Sequence, residues 1–311
     1  MPEDISRGTS GVLLPPEVSS EVWAGVQGAS AVMQLTRETT MPGPGISVPI
    51  ITGDAEADWV DETDEISVSR PTLDNKTITP YKLGVIVPFS NEFKRDLAGL
   101  YPELLRRLPN ALAKKFDSTV FGSSAPGSNF DVLGGATAVA CAPHASDVKK
   151  GTYAGLVEAE ATITGNEGEI GGWVLSPQFR SLLRGQVDAD GRPLLGNSII
   201  GGAQVTDIFG APVASSRGVY AAGSPARIGF VGDFADGAVW GAVNDIEITV
   251  TDQASITDGV TTLDVGEETV DIPNILNLWQ RDMFAVKVVV EVGFRVRNTN
   301  RFIKLTNGVR T

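Results

Sequence analysis

Two periods of hydrophobic placement organise this chain. The first is a period of two. In "YKLGVIVPF", Leu83, Val85, Val87 and Phe89 alternate with Lys82, Gly84 and Ile86, the signature of a half-buried strand. "ISVPIIT" at 46–52 has the same character, and Pro49 restricts it to a sheet edge. "AVWGAVNDIEITVTD", "MFAVKVVVEVGFRVRN" and "FIKLT" predict further strands toward the end of the chain. The second period is helical. Leu104, Leu105, Leu108, Leu112, Phe116 and Val120 recur three and four residues apart and predict one long helix from Pro102 to Phe121. Such a helix is roughly 30 Å long, with Pro109 expected to kink it and Gly122 to end it. Ser90 is placed to cap a shorter helix before it, with Glu92 in the first turn.

Between these blocks the pattern alternates. "YAGLVEAEATI" is helical, "GGWVLSP" a strand into a turn, and "PQFRSLLRGQ" a helix opened by Pro177. "APVASS" and "ARIGFVGDF" are strands, so 140–240 reads as a mixed α/β unit. Residues 1–45 read as an irregular arm with one amphipathic helix at Pro16–Val32, stopped by "MPGPG". The arm has too little apolar surface to fold alone, which points to a partner subunit. Residues 46–89 read as a hairpin whose arms of about 14 residues reach roughly 45 Å. That is too long for one compact domain, and an isolated two-stranded ribbon is marginal in water. Residues 255–275 read as a polar, acidic insertion.

Charge sharpens the question that hairpin poses. "GDAEADWVDETDEIS" carries Asp54, Glu56, Asp58, Asp61, Glu62, Asp64 and Glu65, with Trp59 among them and no Lys or Arg. Such a stretch repels itself and calls for a cation, a basic partner or open water. Asp54, Glu56, Asp58, Glu62 and Glu65 fall at positions one, three, five, nine and twelve of a calcium loop. Position six needs Gly for its turn, and here it is Trp59. The flanks are strands, so a solvated or partner-facing tip is the better reading, and no metal is assigned.

The net charge of −13 argues against a phosphate-gripping surface. Cys141 is the sole cysteine and His144 the sole histidine. One cysteine excludes an internal disulfide and fits a reducing compartment. The spacing of the two, in "CAPHAS", suits a loop pair rather than a nucleophile and its base. "GNEGEIGG" lacks nucleotide-loop spacing, and "DADGRPLLG" reads as an Asp-Gly turn. No zinc spacing or nucleophile elbow occurs, and the acids sit on a projection instead of in a cleft, which disfavours a carboxylate-dependent hydrolase. No enzyme activity and no cofactor is assigned. The N-terminus has acids where a signal peptide has bases, and no apolar run reaches membrane length, so a soluble, intracellular chain is expected.

The order of parts then resembles a known family. "LLPPEVSSEVWAGVQGASAVMQLTRETTMPGPGISVPIITGDAEADWV" resembles the arm and extended loop of tailed-bacteriophage major capsid proteins with the HK-ninety-seven-like fold. "ISVSRPTLDNKTITPYKLGVIVPFSNEFKRD" resembles the return of that loop into the spine helix, and "FDSTVFGSSAPG" the end of that helix. "GGWVLSPQFRSLLRGQVDADGRPLL", "IFGAPVASS", "FVGDFADGAVWG" and "LWQRDMFAVKVVVEVGFRVRN" with "FIKL" resemble the later sheets. The resemblance implies an α+β chain: N-terminal arm 1–45, extended loop 46–89, peripheral domain with spine helix 90–139, axial domain 140–240, and peripheral strands 241–311.

It also implies pentamers and hexamers tiling an icosahedral head around a double-stranded DNA genome. A separate scaffolding protein, a portal and decoration proteins are the expected partners, with no membrane. No cleaved scaffolding extension is expected before the arm. The virion is the expected location, with assembly in the bacterial host cytoplasm. Some members crosslink a loop lysine to a neighbour's asparagine. Lys76 lies in the loop and Asn298 and Asn300 near the last strand, but no crosslink is assigned. The acidic tip is expected to bind between subunits, with Arg95, Arg106, Arg107, Lys114 and Lys115 on a neighbour's spine as its counter-charge. An encapsulin-type shell and an acidic calcium-dependent binding module are the alternatives.

Overall fold

The computed structural model describes residues 12–13, 16–53, 57–62, 65–70, 72–92, 100–142, 151–184, 207–243, 246–265 and 268–309. In chain order the elements begin with β1 (Val12–Leu13), α1 (Pro16–Ala29), α2 (Ala31–Leu35) and β2 (Arg37–Thr40). The hairpin strands β3 (Ile46–Gly53) and β4 (Thr72–Ile78) follow, then β5 (Tyr81–Ser90) and the long helix α3 (Leu100–Val120). Next come β6 (Thr137–Ala140), α4 (Thr152–Gly165), β7 (Gly172–Leu175), α5 (Pro177–Arg184), β8 (Asp207–Ile208), β9 (Ala211–Ser215) and β10 (Arg227–Gly232). The chain closes with α6 (Phe234–Gly237), β11 (Ala238–Ala242), β12 (Glu247–Thr251), β13 (Ser255–Val265), β14 (Glu268–Asn277), β15 (Met283–Val296) and β16 (Phe302–Thr306).

The chain divides into two compact units. One comprises residues 1–29, 82–113 and 245–290; the other comprises 30–81, 114–244 and 291–311. Helix α3 and strand β15 each run from one unit into the other.

In the first unit the leading half of β15 pairs antiparallel with β12, and β1 adds to the far side of β12. β5 also pairs with β15, and Phe89 stacks on Phe284 at 5.5 Å. The alternation read in β5 is this packing. Gly84 suits this close approach, since a Cβ at that position would come 3.1 Å from the Val288 carbonyl oxygen, tighter than an ordinary contact. The Ser90 hydroxyl accepts from the Glu92 N–H at 3.2 Å, while residues 93–99 of the helix expected there lie outside the described residues.

In the second unit a sheet ordered β6-β16-β10-β7-β9-β8 is packed against α4 and α5. Trp173, Phe179, Leu156 and Ile163 are buried in that core. Burying such side chains stabilises by about 1.5–3 kcal/mol each. The Trp173 indole N–H keeps a partner by donating to the Ile208 carbonyl at 3.0 Å. Cys141 is fully buried in the same core, while His144 lies outside the described residues. An aromatic cluster fixes the end of α3: Phe121 stacks on Phe230 at 4.8 Å, and Phe234 meets Phe302 edge-on at 5.1 Å.

Three expectations need correction. The described part of the arm is not irregular, since β1 pairs with β12 and β2 runs parallel to β11 of its own chain. Its helix is two helices, broken at Ser30, whose hydroxyl accepts from the Met33 N–H and starts α2. That hydroxyl also donates to Asp117 at 2.6 Å, and this tertiary bond is what the local pattern could not show. The polar insertion at 255–275 is a regular ribbon, β13–β14, paired from Ser255–Asn277 to Val265–Glu268. Its β-branched residues outweigh its acids, and Gly259 at φ +80° takes up the register shift between Thr257 and Val260.

Candidate functional site: an anchored hairpin and a basic groove

The hairpin, its root and the groove beside it belong to the second unit. Strands β3 and β4 pair antiparallel from Ile46–Ile78 at the root to Gly53–Thr72 at the outer end. The return strand ends at Ile78, and Pro80 separates it from β5. Gly45 makes the root possible. Its φ of +95° suits glycine, and a Cβ there would meet the Ile78 carbonyl oxygen at 2.3 Å.

The root is clamped by polar bonds to β15 and to the loop after α3. Lys76 Nζ donates to the carbonyls of Val296 at 2.8 Å and Arg297 at 3.2 Å. Arg295 donates through Nε to the Thr77 carbonyl at 2.9 Å, through Nη1 to Asp131 at 2.7 Å, and through Nη2 to Asn129 at 3.1 Å. The second Asp131 oxygen accepts from the Val296 N–H at 2.9 Å. Asn129 in turn donates to Thr79 at 3.0 Å. A guanidinium with three partners and a shared carboxylate holds a planar, directional joint. Sequence reasoning placed Lys76 in the loop but missed Arg295, Asp131 and Asn129, whose spacing carries no local signal.

The outer end is the opposite in character. Asp58, Trp59, Asp61, Glu62 and Glu65 are all exposed. Trp59 is 104% exposed, Ile66 75% and Val68 81%. Ser67 donates to Asp58 at 2.6 Å across the tip. Asp54, Glu56 and Asp64 lie outside the described residues, as does Arg95. On α3, Arg107, Lys114 and Lys115 are exposed, and Arg107 already has a partner within the chain. The side chain of Arg106 is outside the described set. Among the described residues, no group of acids, histidine or cysteine is arranged to hold a metal ion.

Beside the hairpin root lies a groove of about 460 Å³. Arg37, Lys76, Arg295 and Arg297 line it, with Asp236 as the one acid among the described lining residues. Ile46, Val48 and Val239 supply apolar wall. Arg37 and Arg297 are exposed.

The sequence profile of the phage capsid family matches residues 10–307. The chain belongs to the phage capsid family. It is 29% identical over 310 residues to the probable major capsid protein gp17 of Mycobacterium phage D29, covering 95% of this chain and 90% of that one. It is 25% identical over 299 residues to the major capsid protein of Staphylococcus phage 80alpha, covering 93% and 83%. Among solved structures, a chain from Gordonia phage Cozz superposes with a TM-score of 0.67 at 21% identity, covering 100% of this chain and 92% of that one. A chain titled as the capsid of an empty GTA particle computed with C5 symmetry gives 0.60 at 17%, covering 98% and 94%. These structural likenesses bear on the fold alone, and they agree with the α+β, HK-ninety-seven-like architecture expected from the sequence. Members of this family of structural proteins build the multimeric shell of the virion, and the capsid is where this chain belongs.

Proposed function

We propose that copies of this capsid-family chain associate as pentamers and hexamers, tiling an icosahedral head that encloses a double-stranded DNA genome. Assembly takes place in the host cytoplasm with a separate scaffolding protein, and the finished head carries a portal and decoration proteins. The observation that carries the reading is the hairpin. Its root is fixed by Arg295, Asp131 and Lys76, while Trp59 at the other end is fully exposed. Rigid projection of an apolar, charged tip has a use only if a neighbouring subunit receives it. A chain of net charge −13 encloses DNA without gripping it. The family match gives no support to the encapsulin-type or calcium-module readings.

Electron microscopy of the purified chain, with light scattering on the same sample, tests this. Closed shells, tubes or rings of five or six are expected, alone or with a scaffold. A strict monomer under every such condition overturns the reading. The tip's part is tested by Asp61→Asn, Glu62→Gln, Asp64→Asn and Glu65→Gln in one chain. Shells that are slower to form and less heat-resistant are expected, and unchanged shells would show the tip to be a solvated solubility device.

A further inference from the structure

The acidic tip needs a receptor, and the hairpin root carries a groove of complementary composition. We propose that this groove receives the segment Asp58–Glu62 of a second copy of the chain, head to tail. The proposal rests on the shell reading above.

Three observations converge. The first is charge. In a chain with 38 acids and 25 basic residues, the described lining gathers Arg37, Lys76, Arg295 and Arg297 against Asp236, with Arg295 also paired to Asp131 at 2.7 Å. The segment Asp58–Glu62 offers three carboxylates and no cation. The second is the apolar part. Ile46, Val48 and Val239 give the groove an apolar wall between its cations, and Trp59 stands bare between the tip's carboxylates. A volume of about 460 Å³ falls within the range of pockets that bury compact groups. An indole enters the wall while Asp58, Asp61 and Glu62 meet the cationic rim. Nucleic acid fits less well, since strand binding stacks bases on aromatic side chains and none stands among the described lining residues.

The third observation is reach. The paired ladder from Ile46 to Gly53 sets the outer end about 23 Å from the root, at ~3.3 Å per residue. Trp59 stands fully exposed, so the chain's own tip does not fill its own groove. Tip and groove are therefore opposite ends of one device. A contact between unlike surfaces on identical chains is heterologous, and it either closes into a ring or propagates. Carriage of both ends by every copy lets weak single contacts sum across a closed assembly.

The test uses the full chain carrying Arg37→Cys and Glu62→Cys together. Cys141 is buried and stays silent. Particles are assembled, checked by electron microscopy, oxidised with copper–phenanthroline and run denatured without reductant. A ladder of covalent dimers, trimers and higher species is expected, with each single substitution giving monomer. Assembled particles that yield only monomer overturn the proposal while leaving the shell reading intact. A chain that forms no particle even with scaffold overturns both. A charge exchange adds a second measurement. Arg37→Glu is expected to slow assembly at least tenfold, and adding Asp61→Arg with Glu62→Arg to restore it. If Lys114→Glu with Lys115→Glu abolishes assembly while Arg37→Glu does not, the spine is the receptor and the groove is not. Arg37-dependent retention of a fluorescent oligonucleotide, without tip crosslinking, also overturns it.

Discussion

Asp117 is a fully buried carboxylate with donors aimed at it from three directions. Ser30 donates its hydroxyl at 2.6 Å, and the Ala31 and Val32 N–H groups point at it from 3.0 and 3.4 Å. Ser216 supplies a further hydrogen bond. One side chain of the long helix thereby fixes the break between α1 and α2. Asp117→Ala is expected to lower stability by several kcal/mol, at about 1–3 kcal/mol for each buried donor left alone. Thermal melting at neutral pH checks it.

The pH dependence of Asp117 has a definite sign. Burial raises its carboxyl above the ordinary 3.8, outweighing the hydrogen bonds that pull the other way. The folded state therefore binds this proton more tightly than the unfolded state. Stability from this group is lost as pH rises through the window between 3.8 and the raised value, and regained on acidification. Melting curves of wild type and Asp117→Asn are expected to separate further in favour of wild type as pH falls through that window. Parallel curves would refute this. None of it was legible beforehand, because an acid in "FDST" looks like an ordinary helix-surface residue until Ser30 and Ser216 are known to face it.

At the scale of elements, the sequence carried what repeats and lost what is joined from afar. The alternation in β5 and the spacing in α3 announced themselves, because each reports burial on one face of one element. The clamp on the hairpin root joins Lys76, which the sequence placed in the loop, to Asp131 and Arg295, which are distant in sequence and carried no local signal. Lys76→Met removes two bonds to carbonyls yet keeps the aliphatic stem. Faster amide exchange through Ile46–Val48 and Lys76–Ile78 is expected, with the core sheet around Trp173 unchanged. Equal exchange in both proteins would mean that Arg295 alone secures the root.

The β13–β14 ribbon was misread because Asp258, Asp264 and Asp271 drew attention from the Thr, Val and Ile between them. Its described side chains are mostly exposed, with Val260 at 55% and Ile275 at 67%, while Leu276, Leu278 and Ala285 form a small core at its base. A ribbon paired only to itself adds little to folding. Replacing residues 259–272 by Gly-Gly is expected to cost less than about 1 kcal/mol, a shift of roughly 2–4 °C in Tm. Loss of the cooperative transition would show that the ribbon belongs to the fold itself.

At the scale of the whole molecule, two electrostatic effects of opposite sense act on assembly. Each copy carries −13, so approaching copies repel at long range. The acidic tip and its basic receptor attract at short range. Salt screens over a Debye length of about 10 Å at 0.1 M and about 3 Å at 1 M. The diffuse repulsion between chains acts over longer distances and is the first to disappear. Contacts made at hydrogen-bond distance, partly walled by apolar side chains, survive until the salt is much higher. Assembly rate, followed by light scattering, is therefore expected to rise with salt to around 0.1–0.2 M and then to fall. The chain with Asp61→Asn, Glu62→Gln, Asp64→Asn and Glu65→Gln has lost the short-range attraction and part of the repulsion. Its rate is expected to rise and level off without the later fall. A fall of equal depth in both chains would place the salt-sensitive contact somewhere other than the hairpin tip.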